Sequence, residues 1–294
     1  MNRSLLKCLL LCLACLAGLS AHAASLATVE AVQAPAWLER AGRTEPLAAA
    51  TELRTGDVVR TGTGARAYLM LADGSRVKLG AGASFTLHSR SLQPQKALHG
   101  VLNVVAGAFR FTTGAIKRKT ATERELTIRV GTATIGIRGT DIWGKASGDR
   151  DVVALLAGRI EVTRGGEAVE LDEPNTYFDA PRAGNALVRP LDAGQLNAWS
   201  RETEILPGDG ASMQRGLWRV LAATATSSDE ALALYDQLRL AGFAARIRPV
   251  KPADAEAEAW HYQLFLAGFV DKREAEVAAA RLAALTSLAA TASR

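Results

Sequence analysis

Beyond its fifteenth residue the chain has no cysteine. Cys8, Cys12 and Cys15 are the full complement of three. From there on, no disulfide, thiolate nucleophile or cysteine-ligated metal can form. Aromatic residues are sparse, with 7 Phe, 5 Trp and 4 Tyr in 294 residues, so any core must rest on Ala, Leu, Val and Ile. Charge of one sign is missing too. The 35 basic and 30 acidic side chains are nearly balanced and widely dispersed, which argues against a nucleic-acid partner. His88, His99 and His261 stand far apart with no His-x-x-x-His or Glu-x-x-His pairing, so zinc is not expected. Gly-x-Ser-x-Gly and Asp-x-Asp-x-Asp patterns are absent, and no Gly-Lys-Ser/Thr follows the glycines at 131 and 136. The expectation is no catalytic motif, no metal and no cofactor.

What is present begins with a secretory leader. Arg3 and Lys7 form a positive start, Leu5 to Leu19 is an apolar run with no acidic residue, and Ala21-His22-Ala23 is a small-x-small cleavage site. The cut is expected after Ala23, making residues 1–23 a signal peptide and leaving 271 residues exported to the periplasm without a membrane span. Loss of Arg3 and Lys7 lowers the net charge from +5 to +3. The exported part then holds no cysteine at all.

From Trp37 to about Arg189 the pattern is β. Glycine-bounded apolar segments are short and no long 3.6-residue stripe appears. The clearest unit is a hairpin from Ala67 to Leu79, turning at Asp73-Gly74. Further strands are expected at Phe85 to His88, Val101 to Val105, Ala108 to Thr112, Leu126 to Val130, Ile135 to Arg138, Val152 to Leu156, Arg159 to Thr163 and Ala168 to Leu171. Pattern alone leaves sandwich, barrel and solenoid open. Asp57, Asp73 and Asp141 neighbour glycines and are read as turn-closing residues. Lys117-Arg118-Lys119 is read as a solvated basic loop. Leu191, Leu196 and Trp199 fit a closing helix, and Pro207 to Ser212 has linker composition.

The last eighty or so residues hold an internal duplication. Val220 to Leu238 lies over Leu264 to Leu282 without gaps, aligning Glu230 with Glu274, Ala231 with Ala275 and Leu238 with Leu282. Each half runs from an apolar strand to a helix. The first helix opens with the capping box Ser227-x-x-Glu230 and packs Ala231, Leu234, Tyr235 and Leu238, ending at Gly242. The second opens with Asp271-x-x-Glu274 and packs Ala275, Ala278, Leu282 and Leu285. Ala245 to Val250 is a strand between them, followed by a polar loop from Pro252 to Ala259. The expected order is β-α-β-β-α, an antiparallel sheet with two helices on one face and no final strand after Leu285.

Trp218-Arg219-Val220, Gly242-Phe243 and the run Tyr262 to Phe269 followed by Arg273-Glu274-Ala275-Glu276 give this region its character. It resembles the SPOR domain, an envelope module that binds peptidoglycan glycan strands stripped of stem peptides. The resemblance implies that the uncovered sheet face is the ligand site. By alternation that face carries Arg219, Leu221, Arg246, Arg248, Gln263 and Phe265, while Val220, Ala222, Ile247, Leu264 and Leu266 face the helices. Guanidinium and amide groups suit hydroxyls and lactyl carboxylates, and Phe265 offers a sugar-stacking plate. Leu221 stands where a polar residue is usual, and Ala222-Ala223-Thr224-Ala225 lacks an aromatic.

The earlier half carries Leu53-x-x-Gly56-Asp57-Val58-Val59-Arg60-Thr61-Gly62, then the hairpin, then the run Thr132 to Asp141 and Gly158-x-Ile160-x-Val162. It resembles the FecR domain. FecR itself spans a membrane and controls a sigma factor through a cytoplasmic segment. A cleavable leader occupies that end here, so the resemblance implies only a β-rich extracytoplasmic domain with an interaction role.

The expected whole is therefore an all-β FecR-like domain (29–190, sandwich or β-solenoid), a helix and linker (191–214) and a small α+β SPOR-like domain (215–290). Its expected function is non-catalytic binding of peptidoglycan glycan strands in the cell envelope, with cell division among the settings implied. The FecR-like part would contact another envelope protein. The alternative is a FecR-type envelope signalling component that does not bind the wall. Paired carboxylates of a glycan hydrolase, drawn from distant segments, stay open to the sequence, and neither resemblance supplies them.

Overall fold

The computed structural model describes residues 25–89, 100–114, 126–137, 139–251 and 260–294. The leader with its three cysteines, the basic run at Lys117-Arg118-Lys119, His99, Arg138 and the loop 252–259 lie outside the described residues.

Alternating apolar positions in the first 190 residues build two sheets that face each other. One sheet runs, edge to edge, β4 (Glu52–Leu53), β1 (Ala27–Gln33), β6 (Arg66–Leu71), β7 (Arg76–Leu79), β9 (Gly100–Thr112), β12 (Asp141–Ala146), β13 (Arg150–Ala157), β16 (Thr176–Pro181) and β17 (Leu187–Pro190). The other runs β3 (Arg43–Pro46), β2 (Ala36–Arg40), β5 (Val58–Thr61), β8 (Ser84–Ser89), β9 again, β10 (Leu126–Val130), β11 (Ala133–Ile137), β14 (Ile160–Arg164) and β15 (Glu167–Leu171). Among these strands only β9 and β10 pair in parallel. The inward residues of both sheets, such as Leu69, Val77, Phe109, Phe111 and Leu155 from one and Val59, Phe85, Leu102, Ile128 and Val162 from the other, form a single core. Two facing layers around one core make this a sandwich rather than a solenoid.

Val101 to Val105 and Ala108 to Thr112, expected as two strands, are one. β9 leaves the second sheet and enters the first by bending at Gly107. There φ is +81°, and a Cβ would stand 2.5 Å from the Ala83 Cα. Only glycine fits such a bend. β1 begins at Ala27, ten residues before the β pattern was expected to start.

The closing helix is α1 (Ala193–Thr203). Asp192 and Gln195 form a reciprocal capping box at its start. It lies on the outer face of the first sheet, where Leu196 and Trp199 cover Ala108, Trp143, Val152 and Ala154. Its last turn and the residue after it are ion-paired to the same face. Glu202 accepts from Lys145 at 2.8 Å, and Glu204 from Lys78 at 2.7 Å and Tyr68 Oη at 2.9 Å.

The glycine-rich stretch after α1 is bonded on both sides. The buried Glu274 carboxylate accepts from the backbone N–H groups of Gly208, Gly210 (2.7 Å) and Ala211 (3.2 Å). Gly210, at φ +72°, is needed because a Cβ there would meet Ala278 N at 2.8 Å. β18 (Ser212–Met213) then pairs with both β1 and the C-terminal sheet.

The C-terminal region comprises β19 (Trp218–Ala225), α2 (Ser228–Leu240), β20 (Arg246–Val250), β21 (His261–Phe269), α3 (Lys272–Thr286) and β22 (Thr291–Ser293). Its antiparallel sheet has the order β22-β19-β21-β20. β22 corrects the expectation that no strand follows Leu285. Its three small residues carry no pattern of their own and are held by the ladder to β19. Leu285 itself is exposed, because the buried stripe of α3 runs from Leu282 to Thr286. At the α2 start, Ser227 caps the Glu230 N–H as expected. The Glu230 carboxylate, however, bonds Thr226 N (2.8 Å) and Oγ1 (3.1 Å) rather than closing the box.

Candidate ligand-binding face

The C-terminal sheet has one covered and one open face, set by alternation. Val220, Ala222, Ala225, Leu264 and Leu266 are buried against Ala231 and Leu238 of α2 and Ala275, Ala278, Ala279 and Leu282 of α3. Alanine on the helices allows close approach without large rings. The intervening residues of each strand point the other way.

All six residues expected at the site meet on this open face. Leu221 and Arg246 pair with Phe265 from its two sides, and Arg248 pairs with Gln263. Arg219 lies one step further along β19, opposite Ala267. The Arg219 guanidinium carbon is 5.3 Å from the Phe265 ring centre, and that of Arg248 is 5.8 Å away. Two cations thus flank one aromatic plate at cation–π distance. Arg248 Nη2 donates to Gln263 Oε1 at 2.6 Å. That bond occupies the amide's acceptor and leaves its NH₂ for a ligand. Among the described residues, Arg219, Arg246 and Arg248 pair with no carboxylate. The face is therefore rich in donors and suits a ligand rich in acceptor oxygens.

Strict alternation misses one member. A register shift between Leu221 and Ala223 puts Ala222 and Ala223 together opposite Leu264. Thr224 consequently falls beside Gln263 on the open face. Thr291 and Ser293 of β22, opposite Leu221 and Arg219, join it from the strand the sequence did not reveal.

In the sandwich the aspartates do structural work of differing kinds. Asp73 accepts from Ser75 N at 2.9 Å and Oγ at 3.0 Å, a turn closure. Asp57 accepts from Arg54 N at 2.7 Å and twice from Arg40, at 2.9 and 2.5 Å. Asp141 closes no turn but takes a bidentate pair from Arg110 at 2.9 and 2.8 Å. That bond is the main reason the Arg110 guanidinium sits above its ordinary pKa. The buried Asp151 went unnoticed in the sequence. Thr132 N and Oγ1 each donate to it at 2.8 Å, and Arg182 at 2.6 and 2.9 Å. Gly131 is glycine because a Cβ would overlap that carboxylate. The run after Gly131 is thus a strand turn wrapped on a buried ion pair, with no phosphate-loop geometry.

Residues 57–161 match the FecR protein family. The matched stretch covers just over a third of the chain and runs from the start of β5 into β14, taking in the shared strand β9. It ends well before the C-terminal sheet. Two crystal structures of a candidate anti-sigma factor from Parabacteroides distasonis ATCC 8503 are similar to this chain. Each has a TM-score of 0.40 and 17% identity over 63% of this chain and 75% of the other. No curated protein matches. Among the described residues no helix is long and apolar enough to cross a membrane.

Proposed function

We propose that this is a non-catalytic, periplasmic envelope protein in which a FecR-type β-sandwich carries a glycan-binding sheet face. The observation that carries the reading is the grouping of Arg219, Arg246, Arg248 and Gln263 around Phe265 on an open face where, among the described residues, no carboxylate pairs with them. A sugar face stacks on the ring while hydroxyls and lactyl carboxylates accept from the surrounding donors. Peptidoglycan strands without stem peptides fit that chemistry, because a bare strand brings its sugars flush against a flat sheet. The sandwich would then be held at wall regions rich in such strands, raising its local concentration there. The experiment is co-sedimentation of the purified protein with sacculi before and after amidase treatment. Enrichment on stripped sacculi is expected, and equal or absent retention overturns the wall-binding reading.

A second reading has its own support in the FecR match at residues 57–161. In it the sandwich is the receiving surface of an envelope signalling pathway, and the C-terminal sheet binds protein rather than glycan. Capture of a specific envelope protein by a chain that ignores stripped sacculi favours it.

A further inference from the structure

Where the two parts of the chain meet they line an open cavity of about 260 Å³. Its apolar walls include Leu47 from the loop after β3, Phe243 after α2 and Leu266 on β21. Ser212 and Gln214 add polar groups, and three arginines also line it, the exposed Arg215 and Arg246 and the half-buried Arg281 of α3. Arg281 Nη1 donates to the Ala34 carbonyl at 3.1 Å, which fixes the side chain across the junction. A guanidinium has five N–H donors, and Arg281 makes no ion pair with a carboxylate among the described residues. Burial pulls its pKa below the ordinary arginine value. Asp209 attracts it only from beyond ion-pair distance, and Arg66 repels it.

A half-buried cation anchored by one carbonyl, with two exposed arginines and several apolar side chains on the same lining, matches a ligand that joins an acid group to a compact apolar body. The planar fork favours a carboxylate, which takes two parallel bonds. We infer that the junction cavity is a binding site for a carboxylate borne on a small apolar body, with Arg281 as its charge partner. The site needs both parts of the chain, since Leu47 and the Ala34 anchor come from the sandwich and Arg281 from the C-terminal region. It shares Arg246 with the glycan face, since that residue also lines the cavity, so Arg281, on the helix side of the sheet, is the residue whose substitution separates the two readings.

Calorimetric titration of the full chain with acetyl-alanyl-alanine, its C-terminal amide and butyrate tests the inference. The free acid should bind at least about tenfold more tightly than the amide, as loss of a charge-assisted hydrogen-bond pair implies. Arg281→Gln should abolish that preference. Ala49→Phe, on the loop that lines the cavity, should weaken the acid while leaving the circular dichroism spectrum unchanged, which covers the case of a poorly folded Arg281 variant. Butyrate binding as well as the dipeptide acid would assign the site to simple carboxylates, and weaker binding would assign it to peptide C-termini. Absence of binding, indistinguishable acid and amide, or undiminished acid binding by Ala49→Phe would overturn the inference.

Discussion

Arg246 and Arg248 are exposed on a strand whose apolar contribution, Ile247, points the other way. Reversing both charges (Arg246→Glu with Arg248→Glu) should reduce retention on stripped sacculi by at least about tenfold, while the melting temperature shifts little. Normal retention by the folded double variant would remove these residues from the site. Glu204 offers a different test. Burial alone would raise its carboxyl, but bonds from Lys78 and Tyr68 and the Arg110 charge outweigh this and hold it below the ordinary glutamate value. Burial, conversely, is the main reason the Tyr68 hydroxyl is pushed up. A carboxylate with a depressed folded pKa contributes stability above its unfolded pKa of about 4.3 and loses it as pH falls through the folded value. Glu204→Gln should therefore be less stable than the parent at pH 7, and the gap should close below about pH 4. Urea unfolding at pH 7, 4 and 3 checks this, and a gap independent of pH contradicts it.

Helix α1 shows how an element with a modest apolar stripe is fixed by what lies beneath it. Trp199 stacks on Trp143 with centroids 4.6 Å apart and 13° between planes, and meets Tyr177 edge-on at 5.1 Å. Trp199→Ala should cost about 2–3 kcal/mol, from lost burial plus the aromatic pairs; a change in urea unfolding under about 0.5 kcal/mol would show that the acidic latch alone holds α1. Strands with strong alternation, such as β6 and β7, and the continuous apolar run of β13 were legible in the sequence, as were the helices with their Ser227 and Asp271 caps. β22 was not, because Thr291, Ala292 and Ser293 have neither β-branched aliphatics nor length. The continuity of β9 was hidden because Gly107 reads as a break in a chain but serves as a bend in space. That the six candidate residues share one open face was legible because alternation has only two phases. Thr224 was lost where the β19 bulge changed the phase. Polar bonds between distant positions, such as the Asp151–Arg182 ion pair or the backbone N–H groups of the Gly208 loop donating to Glu274, have no local sequence signal at all.

At the scale of the whole molecule, the glycine-rich stretch does not act as a loose tether. β18 adds to β1 and to β21, Arg239 donates to the Thr44 carbonyl at 3.2 Å, and Ala36 N donates to the Gly242 carbonyl at 3.2 Å. Gly242 must be glycine there, since a Cβ would stand 2.7 Å from the Trp37 ring. The sheet face is thus presented by a sandwich that cannot swing freely behind it, which limits the ordering cost of binding an extended strand. The central claim is that this face takes glycan. Amide chemical-shift mapping of the full chain, titrated with soluble stem-peptide-free glycan fragments, tests it most directly. The account predicts shifts concentrated at Arg219, Leu221, Thr224, Arg246, Arg248, Gln263 and Phe265. Shifts confined to the sandwich, or none at saturating glycan, would contradict it.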